Sequence, residues 1–229
     1  MPSTSETWRN QLFDRLGAAS YDAAIERERL ARILGWLSWR TDTPRLYRHM
    51  QLLGEQPAGA SVLDLPCGGG VAFRALTPKQ DIRYVACDLS PGMLRRAQKV
   101  ARERRLAQVE LVEADVNALP FSDGEFDLCI SYNGLHCFPD PAAGVKEMAR
   151  CLKPGGRLTG CATIRGTGRR EDALFHAYQR TGVFGPGGTA EEVTEWLGAA
   201  GLEEMNFDSS GAWLFFDALR ANRVTGMRS

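Results

Sequence analysis

The sequence predicts an open α/β fold, in which strands alternate with helices, and three observations support this. An apolar, strand-like run is followed by three consecutive glycines and a helix-compatible stretch, which is the order strand, tight turn, helix. Two later strand-like runs also lead into an acidic residue. Two β-like runs separated by a Ser-Gly turn lie near the C-terminus and predict an antiparallel hairpin.

The first 55 residues form a predicted helical block that precedes the first strand. Apolar residues recur at helical spacing between Ile25 and Leu37. Pro44 is predicted to be the first residue of a second helix, which is expected to end near Leu53. An open α/β sheet does not itself require such a block. We therefore expect residues 1–55 to cover the ligand site of the α/β sheet, as part of the same domain.

The glycine-rich turn between the first strand and the run at 71–76 is typical of nucleotide sites. Gly68 and Gly70 lack a Cβ and let a ligand approach the backbone, and a helix that begins here directs N–H groups at an anionic group. A dinucleotide fingerprint needs a third glycine, and this chain has Phe73 there. A nicotinamide-dependent oxidoreductase on a related fold stays as an alternative.

Acidic residues follow three successive predicted strands. The second strand, 82–88, ends in Asp88, which comes 24 residues after Asp64. An acid at about this distance is placed to accept both hydroxyls of a ribose. The third strand, at about 109–114, leads into Asp115. Because such ends meet at one edge of a parallel sheet, the three acids predict a ligand site there.

Turn and cap signals predict the remaining elements. Ser90 and Pro91 have the residue types of a helix N-cap and a first helical residue, and Thr189 to Glu192 has the pattern of a capping box.

The predicted core of the domain spans residues 56–218 and is followed by a tail at 219–229. Within the core, the sequence predicts a strand at 126–132, a helix at 141–152, a turn at 153–156 and a strand at 157–163. These are followed by a glycine-rich lid at 165–188, a helix at 190–200, and hairpin strands at 205–209 and 213–218.

Composition argues against several classes of function. The formal net charge is zero, so a nucleic acid held by its phosphates is not an expected partner. The six cysteines lack the paired spacing of a metal site, and we expect reduced core thiols and no metal. No secretory apolar segment and no run of about 18 apolar residues occurs. These features predict a cytoplasmic protein without stable membrane insertion.

The stretch from Asp64 to Gly70 resembles motif I of the class I S-adenosylmethionine-dependent methyltransferases, a run of the type D-x-G-x-G-x-G. Asp64, Gly68 and Gly70 match this motif. Pro66 replaces the first glycine, and Gly69 stands where Ser or Thr is common. Because Pro66 has no backbone N–H, one contact to the cofactor is expected to be missing at this turn.

Two later stretches resemble the same family. Residues 86–94 resemble motif II, which implies that Asp88 binds both ribose hydroxyls. Residues 113–121 resemble the adenine-binding turn, in which an acid accepts from the adenine amino group and the next N–H donates to the ring. The resemblance assigns cofactor contacts to Tyr21, Asp64, Pro66, Cys67, Gly68, Gly70, Asp88, Leu89, Met93, Asp115, Val116 and Tyr132.

The family implies a Rossmann-like, seven-stranded, mostly parallel sheet with helices on both faces and a C-terminal antiparallel hairpin. Residues 18–22 resemble the entry segment of the ubiquinone and menaquinone methyltransferases, which is the nearest subgroup. This resemblance implies transfer of a methyl group from S-adenosylmethionine to a small, apolar or aromatic, quinol-like molecule, with S-adenosylhomocysteine as product. The altered turn at Pro66 leaves a second hypothesis, a module that binds the cofactor without transfer.

The end of the strand at 126–132 is where such a fold brings acceptor and cofactor together. His136 is the candidate general base, because an imidazole with a pKa of about 6.5 works near neutral pH; a structural histidine at this turn is the alternative. The candidate pocket walls are Tyr21, Asn133, His136, Phe138, Tyr178, Phe184 and Trp213, whose aromatic and polar groups suit a small acceptor. We expect a monomer or a homodimer, and carbon, oxygen and nitrogen all stay open as the methylated atom.

Overall fold

The computed structural model of the chain describes residues 28–222. Its strands are β1 (Ala60–Asp64), β2 (Ile82–Asp88), β3 (Val109–Glu113), β4 (Phe126–Tyr132), β5 (Leu152–Thr163), β6 (Leu202–Ser210) and β7 (Trp213–Arg220). Its α-helices are α1 (Glu28–Trp39), α2 (Thr43–Met50), α3 (Pro91–Glu103), α4 (Pro141–Cys151), α5 (Arg169–Arg180) and α6 (Ala190–Ala199). Short 3-10 helices cover Gln51–Glu55, Val71–Ala75 and Leu135–Cys137.

The strands form one seven-stranded sheet in the order β3-β2-β1-β4-β5-β7-β6. The five strands from β1 to β5 pair in parallel, and β7 runs antiparallel to both of its neighbours, β5 and β6. The predicted Rossmann-like sheet with a C-terminal antiparallel hairpin is therefore confirmed. The strand order reverses between β1 and β4, and ligands of open α/β sheets bind at such a point.

Two hydrophobic cores lie on opposite faces of the sheet, because successive side chains of a strand point to opposite faces. Val62 and Phe215 belong to the core covered by α2 and α3, whereas Leu63 and Phe216 belong to the core covered by α4 and α6. β1 is buried at every position, as expected for a central parallel strand. The carboxyl ends of the central strands are thus held from both sides.

The predicted N-terminal helical block corresponds to α1 and α2 within the described residues. The second helix ends at Met50 and continues as the 3-10 helix Gln51–Glu55, close to the predicted end near Leu53. Tyr21 and the rest of residues 1–27 lie outside the described residues.

Cap signals located the helix starts. Ser90 Oγ accepts a hydrogen bond from the Met93 N–H at 3.3 Å. At α6, Thr189 and Glu192 form the reciprocal capping box that the sequence predicts. These side chains satisfy backbone donors that have no partner inside the helix.

The run at 71–76 differs from the predicted α-helix. The Phe73 N–H donates to the Gly70 carbonyl and the Leu76 N–H donates to the Phe73 carbonyl, both at 3.1 Å, which is the three-residue spacing of a 3-10 helix. Pro78 disfavours helical backbone at the residue before it, so the segment has no room for further turns. The glycine turn is therefore followed by one short 3-10 segment.

The segment at 153–156 is not a separate turn before the fifth strand. β5 already pairs with β4 at Leu152, opposite Phe126, and pairs again at Arg157, opposite Leu128. The four residues between them bulge out of β5, and both Asp127 carboxylate oxygens lie 2.8 Å from Lys153 Nζ. This ion pair and the positive φ of Gly155 hold the bulge.

The predicted lid at 165–188 contains a helix that the glycine count obscured. α5 occupies its middle, and the glycines of the segment lie on either side of the helix. Glu171 and Asp172 fall in its first turn, where acidic side chains interact favourably with the helix dipole. The wall of this part of the molecule is therefore a helix with two glycine-rich connections.

Replacement of Gly160 tests the close approach of β5 to β4. A Cβ at this position would overlap the backbone carbonyl of Ser131, so Gly160→Ala is expected to lower the free energy of unfolding by more than about 3 kcal/mol. Gly198→Ala in α6 is the control, because its Cβ would meet only the end of Met205 at 3.5 Å. The control is expected to raise stability by about 0.5 to 1 kcal/mol. Urea denaturation measures both, and equal stabilities would contradict the strand pairing.

Candidate active site

The candidate site lies at the carboxyl ends of β1, β2 and β4. Asp64 ends β1 and aligns with Ala86 of β2, so Asp88 lies two residues further along the neighbouring strand, at its end. This is the edge at which the strand order reverses. The structure thus brings together the first two strand-end acids that the sequence predicts.

Asp88 is buried, and its carboxylate connects the loops of the site. One oxygen accepts from the Gly68 N–H at 2.9 Å and the other accepts from the Ser90 N–H at 2.8 Å. The first bond attaches the glycine loop to β2, and the second fixes the entry into α3. Hydrogen bonds to an ionised acceptor are stronger than bonds between neutral groups, so Asp88 holds the backbone of the site in place.

Backbone hydrogen bonds also hold the loop after β1. The Cys67 N–H donates to the Cys87 carbonyl at 2.7 Å, and the Gly70 N–H donates to the Cys67 carbonyl at 3.0 Å. The Leu65–Pro66 peptide bond is cis. Cys67 is buried, and burial raises the pKa of its thiol well above the usual value, so it lies in the loop as a neutral side chain.

Gly68 and Gly70 both require the backbone freedom of glycine. Their φ angles of +53° and +88° lie in the left-handed region. A Cβ on Gly70 would meet the Phe73 ring at 2.7 Å, whereas no atom lies within 4 Å of a Cβ on Gly68. Gly68 therefore presents its backbone to open space beside Asp88, as a ligand-contacting glycine must.

Asp64 is a buried acid with one strong partner. Tyr84 Oη donates to its Oδ2 at 2.8 Å. Burial raises the pKa of Asp64 to about 8, with a further increase from the charge of Asp88, while the bond from Tyr84 acts in the opposite direction. The environment of Asp64 therefore stabilises its protonated form near neutral pH.

The residues predicted at the adenine end lie around the start of α3 and the loop after β3. Asp115 Oδ1 accepts from the backbone N–H and from Nδ2 of Asn117, both at 3.0 Å. Met93 is buried in the first turn of α3, and Leu89 is half-buried beside it. The Val116 side chain belongs to a hydrophobic core, which leaves its backbone as the group that can face a ligand.

Tyr132 is buried at the end of β4 and has a partner that the sequence analysis missed. Its hydroxyl lies 3.0 Å from Nδ1 of His49 in α2, and the His49 ring packs 5.4 Å from that of Phe215. Burial lowers the pKa of His49 and raises that of Tyr132 well above its usual value, so both groups are neutral at pH 7. His49 belongs to no motif, and only the packing of α2 on the sheet brings it to this strand end.

His136 is buried beneath the strand ends. Its Nδ1 accepts from the Thr163 N–H at 3.1 Å, and its backbone carbonyl accepts from the Gly185 N–H at 2.8 Å. Burial lowers the pKa of the imidazole to about 3. The role of general base stays a prediction; the contacts themselves are those of a residue that joins β4, β5 and the segment after α5.

Aromatic rings beside His136 form a continuous cluster. The Phe184 ring lies 4.4 Å from that of His136 and 4.9 Å from that of Tyr178. Trp39, at the end of α1, lies 6.0 Å from both Tyr178 and Phe184. The structure thus groups three of the predicted wall residues and adds Trp39, which lies within the predicted N-terminal helical block.

The other predicted wall residues lie in the two cores or at the end of β4. Phe138 is buried in the core covered by α4, and Trp213 is buried in the core on the opposite face. Asn133 has φ +56°, and its N–H donates to the Cys161 carbonyl at 2.8 Å. A residue other than glycine that has a positive φ at a strand end is often part of a functional site.

Within residues 28–222, no group of three or more histidine, cysteine or acidic side chains is arranged to hold a metal ion. In the same part of the chain, no helix has the length and apolar character needed to cross a membrane.

Comparison with known proteins identifies a methyltransferase domain within the chain. A sequence model of a methyltransferase domain matches residues 63–159, from β1 into β5. Over 103 residues, 45% of this chain, the sequence is 46% identical to a demethylmenaquinone methyltransferase from Corynebacterium kroppenstedtii. Residues 63–159 thus carry the sequence of a methyltransferase domain. The match spans 42% of the length of the Corynebacterium protein.

Two other comparisons extend this likeness over most of the chain. A demethylmenaquinone methyltransferase from Listeria monocytogenes is 29% identical over 92% of this chain and 90% of its own length. A solved structure of phosphoethanolamine N-methyltransferase 2 from Haemonchus contortus, in complex with S-adenosyl-L-methionine, superposes with a TM-score of 0.75 at 15% identity, over 96% of this chain and 60% of the other. The second match shows the methyltransferase fold.

The geometry of this site fits S-adenosylmethionine, the cofactor of the methyltransferases that the chain resembles. A carboxylate can accept about four hydrogen bonds, so the two backbone bonds of Asp88 are compatible with a pair of ribose hydroxyls. Gly68 borders open space next to this carboxylate, and Asp115 follows the adjacent strand with its side chain fixed by Asn117. The donor and acceptor groups thus match a ribose and an adenine in the order that the family requires.

The variant His136→Gln distinguishes a structural role of His136 from the role of a general base, through the pH dependence of stability and through turnover. The folded-state pKa of about 3 lies below the ordinary value of 6.5, so its contribution to stability is complete above about pH 6.5 and is lost as the pH falls towards 3. Gln cannot become charged, and we expect the variant to lose less stability than the wild type between pH 7 and 4 in urea denaturation at each pH. A base role requires, in addition, a large loss of turnover at pH 7; unchanged turnover leaves His136 a structural residue.

Proposed function

We propose that this chain transfers a methyl group from S-adenosylmethionine to a small, planar, quinol-like molecule. Binding of the cofactor is supported by the buried Asp88 carboxylate, which accepts hydrogen bonds from the N–H groups of Gly68 and Ser90 at a strand end. The acceptor class is supported by the relatives, which are named demethylmenaquinone methyltransferases. The aromatic cluster next to the site is consistent with a planar acceptor.

Each of the predicted cofactor residues has a proposed task. Asp88 accepts from the ribose hydroxyls, Asp115 accepts from the adenine amino group, and the Val116 N–H donates to the adenine ring. The half-buried Leu89 and the buried Met93 border the adenine. Pro66, Cys67, Gly68, Gly70 and Tyr132 surround the amino-acid part with Asp64 beneath them, and Tyr21 is proposed to cover the cofactor.

When bound, the cofactor supplies a sulfonium whose methyl group is already a strong electrophile. The protein therefore has to hold the acceptor in line with that methyl group and keep water out, effects that can lower the barrier by about 7 to 11 kcal/mol. We propose that Phe184, Tyr178 and Trp39 orient the ring of the acceptor, and that Asn133 meets its polar edge. Phe138 and Trp213 support this wall from the two cores.

Proton removal from the acceptor has two candidate sites in this geometry. His136 is neutral at pH 7, but its Nδ1 already accepts from Thr163. His49 is also neutral and lies on the hydroxyl of Tyr132. A phenolic or quinol acceptor is acidic enough to ionise in part when its charge is stabilised, so orientation stays the main contribution of the protein.

Asp88→Ala tests the cofactor site. Loss of a carboxylate that binds hydroxyls is expected to weaken S-adenosylmethionine binding about 100-fold, measured by titration calorimetry. Because Asp88 also holds the loop, Asp140→Ala is the control: it removes another acidic cap, at α4, where Asp140 Oδ1 accepts from the Ala143 N–H at 3.0 Å. The control should lose about 1 kcal/mol of stability and keep its affinity. Retained affinity in Asp88→Ala would contradict the assignment.

Methyl transfer itself is tested with methyl-labelled S-adenosylmethionine and a panel of quinols and phenols that includes demethylated naphthoquinols. A labelled product is expected among the quinols, and its fragments identify the methylated atom. Phe184→Ala should raise KM for the acceptor more than it lowers kcat, because it removes part of the wall. Phe207→Ala, an exposed aromatic residue of β6, is the control. Cofactor binding without any labelled product would favour a binding module.

A further inference from the structure

Helix α1 presents an apolar stripe outward. Leu30, Ile33, Leu34 and Leu37 recur at helical spacing on one side of the helix. All four are exposed, and Ile33 and Leu37 expose more than half of their surface. Trp36 lies next to them and is 64% exposed. Aliphatic side chains in such a row normally face a core, so this stripe requires an explanation.

The opposite side of α1 is already packed. Ala31 is buried, and its carbonyl accepts from Thr43 Oγ1 at 3.1 Å. A Cβ on Gly35 would overlap the same hydroxyl group, so the backbones of α1 and α2 are in close contact there. At the end of the helix, the Trp39 carbonyl accepts from the Ala212 N–H at 2.9 Å. These contacts fix the rotation of α1 and leave the stripe on the outside.

Exposed apolar area is concentrated on this helix. Among residues 30–222, the other large apolar side chains with comparable exposure are Tyr178 and Phe207, one on α5 and one on β6. Scattered apolar side chains on a surface are ordinary, but a contiguous patch marks a contact surface.

Positive charge accompanies the stripe. Residues 28–41 contain three arginines and one acidic residue, Glu28 at the start of the helix. Arg32 and Arg40 line a groove together with Ile33, Trp36 and Leu37. The acid in that groove, Asp42, pairs with Arg48 at 3.2 Å. Arg40 pairs with Glu171 of α5 at 3.2 Å, so Arg32 is the arginine of this groove that adds positive charge to the apolar surface.

We propose that α1 docks flat on the surface of an anionic phospholipid bilayer. An apolar stripe with a tryptophan and flanking arginines is the composition of a helix that lies at the headgroup boundary, where apolar burial and attraction to anionic lipid act together.

The docked orientation would place the proposed acceptor wall near the lipid. Trp39 is the last residue of α1 and contacts Tyr178 and Phe184. An acceptor dissolved in the bilayer would then approach this wall from the docked face. This consequence rests on the proposed function, whereas the docking itself does not.

Vesicle sedimentation with the full chain tests the docking. We expect binding to vesicles of phosphatidylglycerol and phosphatidylcholine, weaker binding to phosphatidylcholine alone, and weaker binding at high salt. Ile33→Ser combined with Leu37→Ser should weaken binding at least about tenfold, because two apolar side chains no longer enter the headgroup boundary. Arg32→Gln should reduce the preference for anionic lipid. Phe207→Ser, an exposed apolar residue of β6, is the control and should bind as the wild type does.

Fluorescence gives a second measurement at a single position. The difference between wild type and Trp36→Phe reports Trp36, whose emission should shift to shorter wavelength on addition of anionic vesicles. Absence of vesicle binding, or binding that the double variant leaves unchanged, overturns the proposal. A wild-type dimer that the double variant converts to a monomer, without vesicle binding, assigns the stripe to a second copy instead. If the double variant no longer binds vesicles but still methylates a water-soluble acceptor, loss of docking is distinguished from loss of the proposed function.

Discussion

The site depends on one buried carboxylate. Asp88 holds the glycine loop through Gly68 and the start of α3 through Ser90, so two loops that come from different strands keep a fixed distance. Both bonds use backbone N–H groups, which every residue except proline supplies. The identity of the loop residues can therefore vary, as Pro66 and Gly69 do against the family motif, while the acid at the end of β2 and the backbone freedom at Gly68 have to stay.

The elements that the sequence predicted are those whose signals are local. The strands at 82–88 and 126–132, the Ser90 cap and the capping box at Thr189 each depend on a few neighbouring residues, and the structure confirms them. Two failures have a common cause. The 3-10 helix after Gly70 and α5 in the glycine-rich segment depend on how far a regular backbone can continue between glycine or proline residues, which composition alone does not reveal.

The parts of the site that no sequence pattern indicates are those that depend on packing across the sheet. His49 contacts Tyr132 because α2 lies over one face of the sheet. The same burial keeps this pair neutral and favours a protonated Asp64 next to the ionised acid of the neighbouring strand. A cationic cofactor placed at this edge would favour ionisation of Asp64.

The N-terminal cap connects the two surfaces of functional interest. α1 is held at its end by the hairpin turn, where a Cβ on Gly211 would overlap the carbonyls of Trp39 and Arg40, and by the bond from the Ala212 N–H. Trp39 therefore cannot leave the Tyr178 and Phe184 rings without disturbing the end of the sheet. The two proposed roles of this helix, binding of a lipid surface and completion of the acceptor wall, therefore both require that its end stays fixed.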